Sequence, residues 1–262
     1  MKKATLDNTA FITIAAFDRS DEKTTAIRMT AEKNDIPLTY YDEGETWRGF
    51  YFHKIQNMRE RLRQLGEQGK EYVFLLDSRD VVFIDHVDVI LQKFNAINQG
   101  KAIFNLDMPG GVWPSLNDDL HIKMKEAMGS EHAQLNAGMI ASEIETLLKI
   151  QSYVVELREE LIAQNPRDGI LSQLFHEYDT NFTEDDQYLY QVCLTYYPEL
   201  FHIDSQKKLF AVLFSFPHDL HECSDDPKRH DVIGEASLIH SPWLAWSPDW
   251  LTWVRENRWN RT

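Results

Sequence analysis

Residues 71–90 read EYVFLLDSRDVVFIDHVDVI, and the fold turns on how this stretch is parsed. Val73, Phe74, Leu75 and Leu76 make an unbroken apolar run, the pattern of a strand covered on both faces. The run stops at Asp77, Ser78, Arg79 and Asp80, and apolar character returns at Val81. If the strand continued, Asp77 and Asp80 would point to opposite faces, about 10 Å apart at roughly 3.3 Å per residue. If it ends at Asp77 and the chain turns, positions i and i+3 approach within about 7 Å and both carboxylates face one point. Buried carboxylates are costly, and two close together more so. A divalent cation held through oxygen ligands offsets that cost. The plain alternative is that Asp77 caps the turn and Asp80 is solvated, and the spacing alone leaves both readings open.

Outward from this stretch, strands and helices alternate. AFITIAAF (10–17), IPLTYYD (36–42), EYVFLLD (71–77) and KAIFNLD (101–107) read as strands. DEKTTAIRMTAEKN (21–34), the locally basic FHKIQNMRERLRQLGEQG (52–69) and HVDVILQKFNAIN (86–98) read as helices. The alternation predicts an α/β domain, with ligands beyond the carboxyl ends of parallel strands. Asp18, Asp77 and Asp107 fall at such ends. Farther on, LNAGMIAS (135–142) reads as a strand and EIETLLKIQSYVVELREELIAQN (143–165) as an amphipathic helix. TEDDQYLYQVCLTYY (183–197) opens on acids and continues as a helix, which suits the positive end of a helix dipole.

The 262 residues, 43% of them hydrophobic, suffice for a substantial core. Lys+Arg 27 against Asp+Glu 42 gives a net charge of −15. That balance opposes broad contact with a phosphate backbone but leaves room for a locally basic groove. No stretch approaches the roughly 18 apolar residues of a membrane span. At the N-terminus two lysines precede the apolar Ala10–Phe17, yet Thr13 interrupts it and Asp18-Arg19 follow at once. The segment reads as the first strand rather than a signal peptide. Cys193 and Cys223 alone indicate no disulfide framework, so the cytoplasm is the expected compartment.

Three more pieces bear on chemistry. Glu184-Asp185-Asp186-Gln187 places three acids before a helix, either as a cap or as a site. Gly138, in LNAG, marks a close backbone approach or an ordinary turn. His240 ends an apolar run, either as a structural residue or as a ligand for manganese or zinc. Together these pieces suit a metal that clamps a diphosphate leaving group.

ETWRG (45–49), FLLDSRDVVF (74–83), LNAGMIAS (135–142), DDQYLY (185–190) and IHSPW (239–243) also follow a familiar order. In order and approximate spacing they resemble the glycosyltransferase domain of the procollagen lysyl hydroxylases, over roughly residues 10–243. The resemblance implies a GT-A fold: a single-domain α/β structure with a Rossmann-like mixed β-sheet flanked by helices. Residues 1–110 would form its nucleotide-binding half and 111–262 its acceptor-side half. It implies Mn2+ as cofactor and a UDP-sugar as donor, with Asp77, Asp80 and His240 as metal ligands. Ala16, Phe17, Trp47, Lys54, Asp77 and Ser78 fall at donor-binding positions. Asn136 and Gly138 fall in a sugar-side loop, and Trp113 where the family has a mobile tryptophan. Asp185 and Asp186 match acids near the transferred sugar and acceptor. Either could orient the acceptor hydroxyl, take its proton or stabilise a cationic sugar.

The pattern departs from the family in places. The segment between Trp47 and Lys54 is shorter. HSPWLAW (240–246) lacks the glycine and lysine that the family carries at the diphosphate, so Arg48, Lys54 or Arg79 would have to substitute. Without hydroxylase domains, collagen is not the expected acceptor. A dehalogenase-type phosphatase needs a D-x-D pair, and residue 79 is arginine. A non-catalytic nucleotide-sugar or glycan-binding module on the same scaffold remains an alternative. Trp243, Trp246, Trp250 and Trp253 recur at spacings of three, four and three and make a stripe if helical. That stripe would pack on the domain or form an acceptor, dimer or membrane-surface contact. With Arg255, Arg258 and Arg261 it also admits a hydroxymethylated nucleic-acid base as acceptor, which the net charge disfavours. The expected activity is transfer of a hexose or pentose to a hydroxyl-bearing acceptor.

Overall fold

The computed structural model describes residues 2–16, 25–107, 134–163, 182–213 and 234–242. The expectations for Phe17, Asp18, Trp113, Cys223, the four-tryptophan stripe and the arginines of the tail lie outside the described residues. In chain order the elements are β1 (Thr9–Ile14), α1 (Thr25–Lys33), β2 (Leu38–Tyr41), a π-helical segment (Tyr51–Asn57) running into α2 (Met58–Glu67), and β3 (Tyr72–Asp77). Next come β4 (Val81–Phe83), α3 (Val87–Ile97), β5 (Ala102–Asp107), β6 (Gln134–Glu143) and α4 (Ile144–Ala163). The last are α5 (Asp186–Tyr196), β7 (Phe201–Ile203), β8 (Phe210–Val212) and β9 (Leu238–His240).

Among the described residues, six strands form a central mixed sheet in the order β2-β1-β3-β6-β5-β7. β1 runs parallel to β2 and β3, β5 runs parallel to β7, and β6 lies between β3 and β5 antiparallel to both. Side chains alternate along each strand, and both faces are covered, which is why β1 and β3 carry unbroken apolar runs. Ile12, Ile14, Val73, Leu75 and Phe104 pack with α2, α4 and α5 on one face. Phe11, Tyr72, Phe74, Leu76 and Ile103 pack with α1 and α3 on the other. There Phe11 stacks on Phe74 with ring centroids 4.6 Å apart. The sheet is flanked by helices, and it has the mixed character that the resemblance implies.

The turn in the opening stretch is real. β3 stops at Asp77, the chain bends through 78–80, and β4 leaves the main sheet for a second one of order β4-β9-β8. β4 pairs antiparallel with β9 in the register Val81↔His240, Val82↔Ile239 and Phe83↔Leu238. Its backbone is anchored from α1 and the residue after it: Thr30 Oγ1 accepts from Phe83 N at 3.2 Å and Asn34 Nδ2 donates to Phe83 O at 3.1 Å. This three-residue pairing carries a histidine from late in the chain to the end of β3.

Candidate active site

The β4–β9 register sets His240 beside Val81, and Ser241 N closes the join by donating to Asp80 O at 2.7 Å. His240 Nε2 lies 3.3 Å from Asp80 Oδ2 and 3.7 Å from Asp77 Oδ2. Potential donor atoms of the three residues all fall within 4.8 Å of one another. The turned arrangement therefore holds, and both carboxylates face one point. Burial raises Asp77, and the neighbouring Asp80 adds to that rise, against the lowering effect of Lys54. Burial also works against ionisation of Asp80, but the His240 imidazole overcomes it and holds Asp80 below the usual carboxylate range. His240 is depressed by burial yet raised on balance by Asp80 and Asp77.

Whether these residues suit a metal is decided by two buried atoms. His240 Nε2 and Asp80 Oδ1 are shielded from solvent and make no hydrogen bond among the described residues. Buried polar atoms are almost always paired, so two orphans at one point call for an explanation. A proton on the imidazole meets part of the need. A cation taking nitrogen and carboxylate ligands meets all of it, and this donor set is of the kind manganese accepts.

β6 forms the wall behind the histidine. A Cβ built on Gly138 would sit 2.2 Å from His240 Cε1, 2.5 Å from Nδ1 and 2.6 Å from Nε2. The close approach that this glycine permits is thus to the imidazole ring, and it occurs inside a strand. The resemblance puts Asn136 and Gly138 in a loop, whereas the structure places both within β6, as the strand reading of 135–142 expects. Asn136 pairs with Asn105 of β5, and Gly138 falls where that register shifts, next to Met139, which pairs with Leu76 of β3. Asn136 Oδ1 accepts from Gly138 N at 2.9 Å and lies 2.9 Å from His240 Nδ1.

The four residues Glu184–Gln187 each make a different contact. Glu184 pairs with Arg158. Asp185 is the N-cap of α5, its Oδ1 accepting from Tyr188 N at 2.8 Å. Asp186 is buried and lies with Oδ2 2.9 Å from Lys54 Nζ. Gln187 ties the helix to β6, its Oε1 accepting from Ala137 N at 3.2 Å. Lys54 also reaches Asp77 Oδ1 at 2.7 Å, so one buried ammonium joins the acid at the end of β3 to the acid at the start of α5. Burial would lower its pKa, but Asp186 and Asp77 together raise it, and it stays charged. Burial and the adjacent Asp186 push Asp185 up to about 7.

These groups line one cavity of about 280 Å³, together with Ile14, Trp47, Phe50, Ser78, Arg79 and Pro242. Ala16 is fully buried after β1 and is not among the residues that line the cavity. Trp47 stacks on His53 at 4.9 Å and 11° and is partly buried against the core, so packing and a rim position coexist. His53 is fixed on both sides: Nε2 accepts from Arg48 N at 3.1 Å, and Nδ1 donates to Asp42 Oδ2 at 2.7 Å. Asp42, Glu45 and His53 have the makings of a second metal group, but both ring nitrogens are already engaged. The group instead holds the segment that carries Trp47. Arg48 lies over the Phe52 ring at 3.6 Å, whereas Arg79 lines the cavity. Sequence reasoning missed Phe50, Gln187 and the Asp42–His53 pair. A signal existed for the last: the run Asp42-Glu43-Gly44-Glu45 gathers three acids around a glycine shortly before His53.

No protein of curated function matches the chain in sequence. A solved glycosyltransferase involved in the glycosylation of the major capsid of PBCV-1 is similar at 10% identity and a TM-score of 0.45, over 95% of this chain and 98% of that one. The apo form of mouse Xyloside xylosyltransferase 1 is similar at 11% identity and a TM-score of 0.46, over 90% of this chain and 98% of that one. Among the described residues, no helix is long and apolar enough to cross a membrane. The model of the PLOD GT domain matches residues 6–161, more than half of the chain, and the protein belongs to this family of glycosyltransferase domains.

Proposed function

We propose that the chain transfers a sugar from a UDP-sugar to a hydroxyl-bearing acceptor, with Mn2+ held by Asp77, Asp80 and His240. The observation that carries this reading is the convergence of those three side chains within 4.8 Å, with two orphaned polar atoms, on the cavity that Lys54, Asp185 and Asp186 also line. When bound, the cation would supply positive charge where the diphosphate leaving group develops its own. Arg79 supports the reading as a cation that lines the same cavity as Asp77 and Asp80, in place of the family lysine that HSPWLAW lacks. Asp186 is paired with the Lys54 ammonium at 2.9 Å, which suits it to orienting the acceptor or stabilising a cationic sugar rather than accepting a proton. Asp185, pushed up to about 7, suits the proton acceptor, because a general base works best with a pKa near the working pH.

The test is a donor screen with and without Mn2+, reading UDP release and thermal shift. UDP should stabilise the protein only with metal, EDTA should abolish turnover, and Asp80→Ala should lose both effects. If no nucleotide sugar gives any response, the non-catalytic binding module takes its place.

The Asp185 assignment predicts a pH profile. The active form is the carboxylate, so kcat/KM should climb about tenfold per pH unit below about 7 and level off above it. Asp185→Asn should lower the plateau by about 10²- to 10⁴-fold and flatten the climb. A wild-type profile that is flat from pH 5.5 to 8 would remove Asp185 from proton transfer.

A further inference from the structure

We infer that Asn136 is a positioning residue that fixes the tautomer and orientation of His240 so that Nε2 presents its lone pair to the metal. The inference rests on the metal-site reading and deepens it: the resemblance places Asn136 only on the sugar side. The argument starts from a backbone amide. Gly138 N–H can only donate, so the Asn136 atom 2.9 Å from it is the carbonyl oxygen and not the amide nitrogen. The same oxygen lies 2.9 Å from His240 Nδ1. An acceptor there requires the proton to be on Nδ1, and in the neutral ring Nε2 is then left unprotonated. Nε2 is the atom that faces Asp80 and Asp77.

Burial makes this arrangement binding. Asn136 is 4% exposed and His240 3%, so water cannot readily replace the lost acceptor. Rotating the ring by half a turn would put a C–H against the Asn136 oxygen and direct Nδ1 away from it. Gly138 meanwhile gives the ring the space it occupies, since a Cβ there would lie 2.5 Å from Nδ1. The strand that carries Asn136 is itself pinned to α5: Gln191 Nε2 donates to Leu135 O at 3.0 Å, and Ala137 N donates to Gln187 Oε1 at 3.2 Å. Outer partners of this kind set ligand basicity and direction, and their removal typically weakens metal binding about 10- to 100-fold.

Two measurements test the assignment. In the metal-free wild type, ¹⁵N NMR of the neutral His240 ring should show the proton on Nδ1. A ring protonated on Nε2 overturns the inference without any variant. In the second measurement Mn2+ affinity is read by calorimetry without donor. Asn136→Leu, which keeps the volume and removes the acceptor, should bind about 10- to 100-fold more weakly. Asn136→Asp, which restores an acceptor for both N–H groups, should keep the Nδ1 proton. Wild-type binding that Asn136→Leu leaves unchanged overturns the role of Asn136 alone. Failure of the wild type to bind Mn2+ overturns the metal reading beneath it.

Discussion

Gly138→Ala is expected to reduce Mn2+ affinity at least about 100-fold and kcat/KM by about 10²- to 10³-fold, with a modest loss of fold stability. A methyl group at this position would enter the imidazole of His240, 2.2 Å from Cε1, and neither side can give way easily. The glycine lies in β6 between Asn136, which pairs with β5, and Met139, which pairs with β3, and His240 is held at the end of β9 by its pairing with Val81. The ring must therefore rotate out of its seat, losing both its contact with Asn136 and its approach to Asp80. Forced overpacking of this kind costs about 1–3 kcal/mol, a fall of roughly 2–12 °C in thermal midpoint for a chain of this size. His240→Ala in the Gly138→Ala background removes the obstacle. The double variant should recover most of the midpoint and none of the metal binding. Calorimetric titration with Mn2+ on the four proteins of this cycle decides the matter. Wild-type affinity in Gly138→Ala would mean that the ring does not sit against β6.

That result would also mark the boundary of what one sequence can reveal. The end of β3 was legible because its signal is local: an apolar run, two acids three apart, and apolar character resuming. The pairing of β4 with β9 was not, because three-residue strands carry almost no periodicity and their register is fixed by packing against α1 and β8. Gly138 announced a close approach but could not name its neighbour, which lies on another strand. The alternation of strands and helices suggests parallel pairing, and the mixed sheet followed only from the resemblance. Phe52–Gly69 reads as one helix, yet its first part, Tyr51–Asn57, is π-helical, and composition does not encode the wider turn. Glu184–Gln187 reads as a cap or a site, and one residue is a cap; the neighbouring Asp186 lines the cavity, paired with Lys54 from that π-helical segment.

Lys54→Met is expected to lower stability by about 3–5 kcal/mol, toward the lower end, with a fall of roughly 6–12 °C in thermal midpoint. The ammonium sits 2.7 Å from Asp77 Oδ1 and 2.9 Å from Asp186 Oδ2, with side-chain exposures of 8% for Lys54, 25% for Asp77 and 6% for Asp186. Methionine fills a similar volume but leaves the Asp186 carboxylate buried without its cation, and that uncompensated charge is the cost. Asp77, a quarter exposed, recovers part of its solvation, which sets the figure low in the range. Without the lysine Asp77, which burial already raises, loses the neighbour that lowers it, so its folded-state pKa stands further above the unfolded value. That part of the deficit should therefore be largest above the raised value and shrink as pH falls and Asp77 takes up its proton. Lys54→Met with Asp186→Asn should regain most of the lost midpoint, since a neutral amide at that position needs no counter-charge. Added Mn2+ should recover the part that belongs to Asp77 but not the part that belongs to Asp186. Thermal scans of the single and double variants in EDTA and in Mn2+ separate the two. A Lys54→Met midpoint within about 2 °C of wild type in EDTA would mean that solvent already reaches Asp186, and the ammonium would then serve the donor rather than the fold.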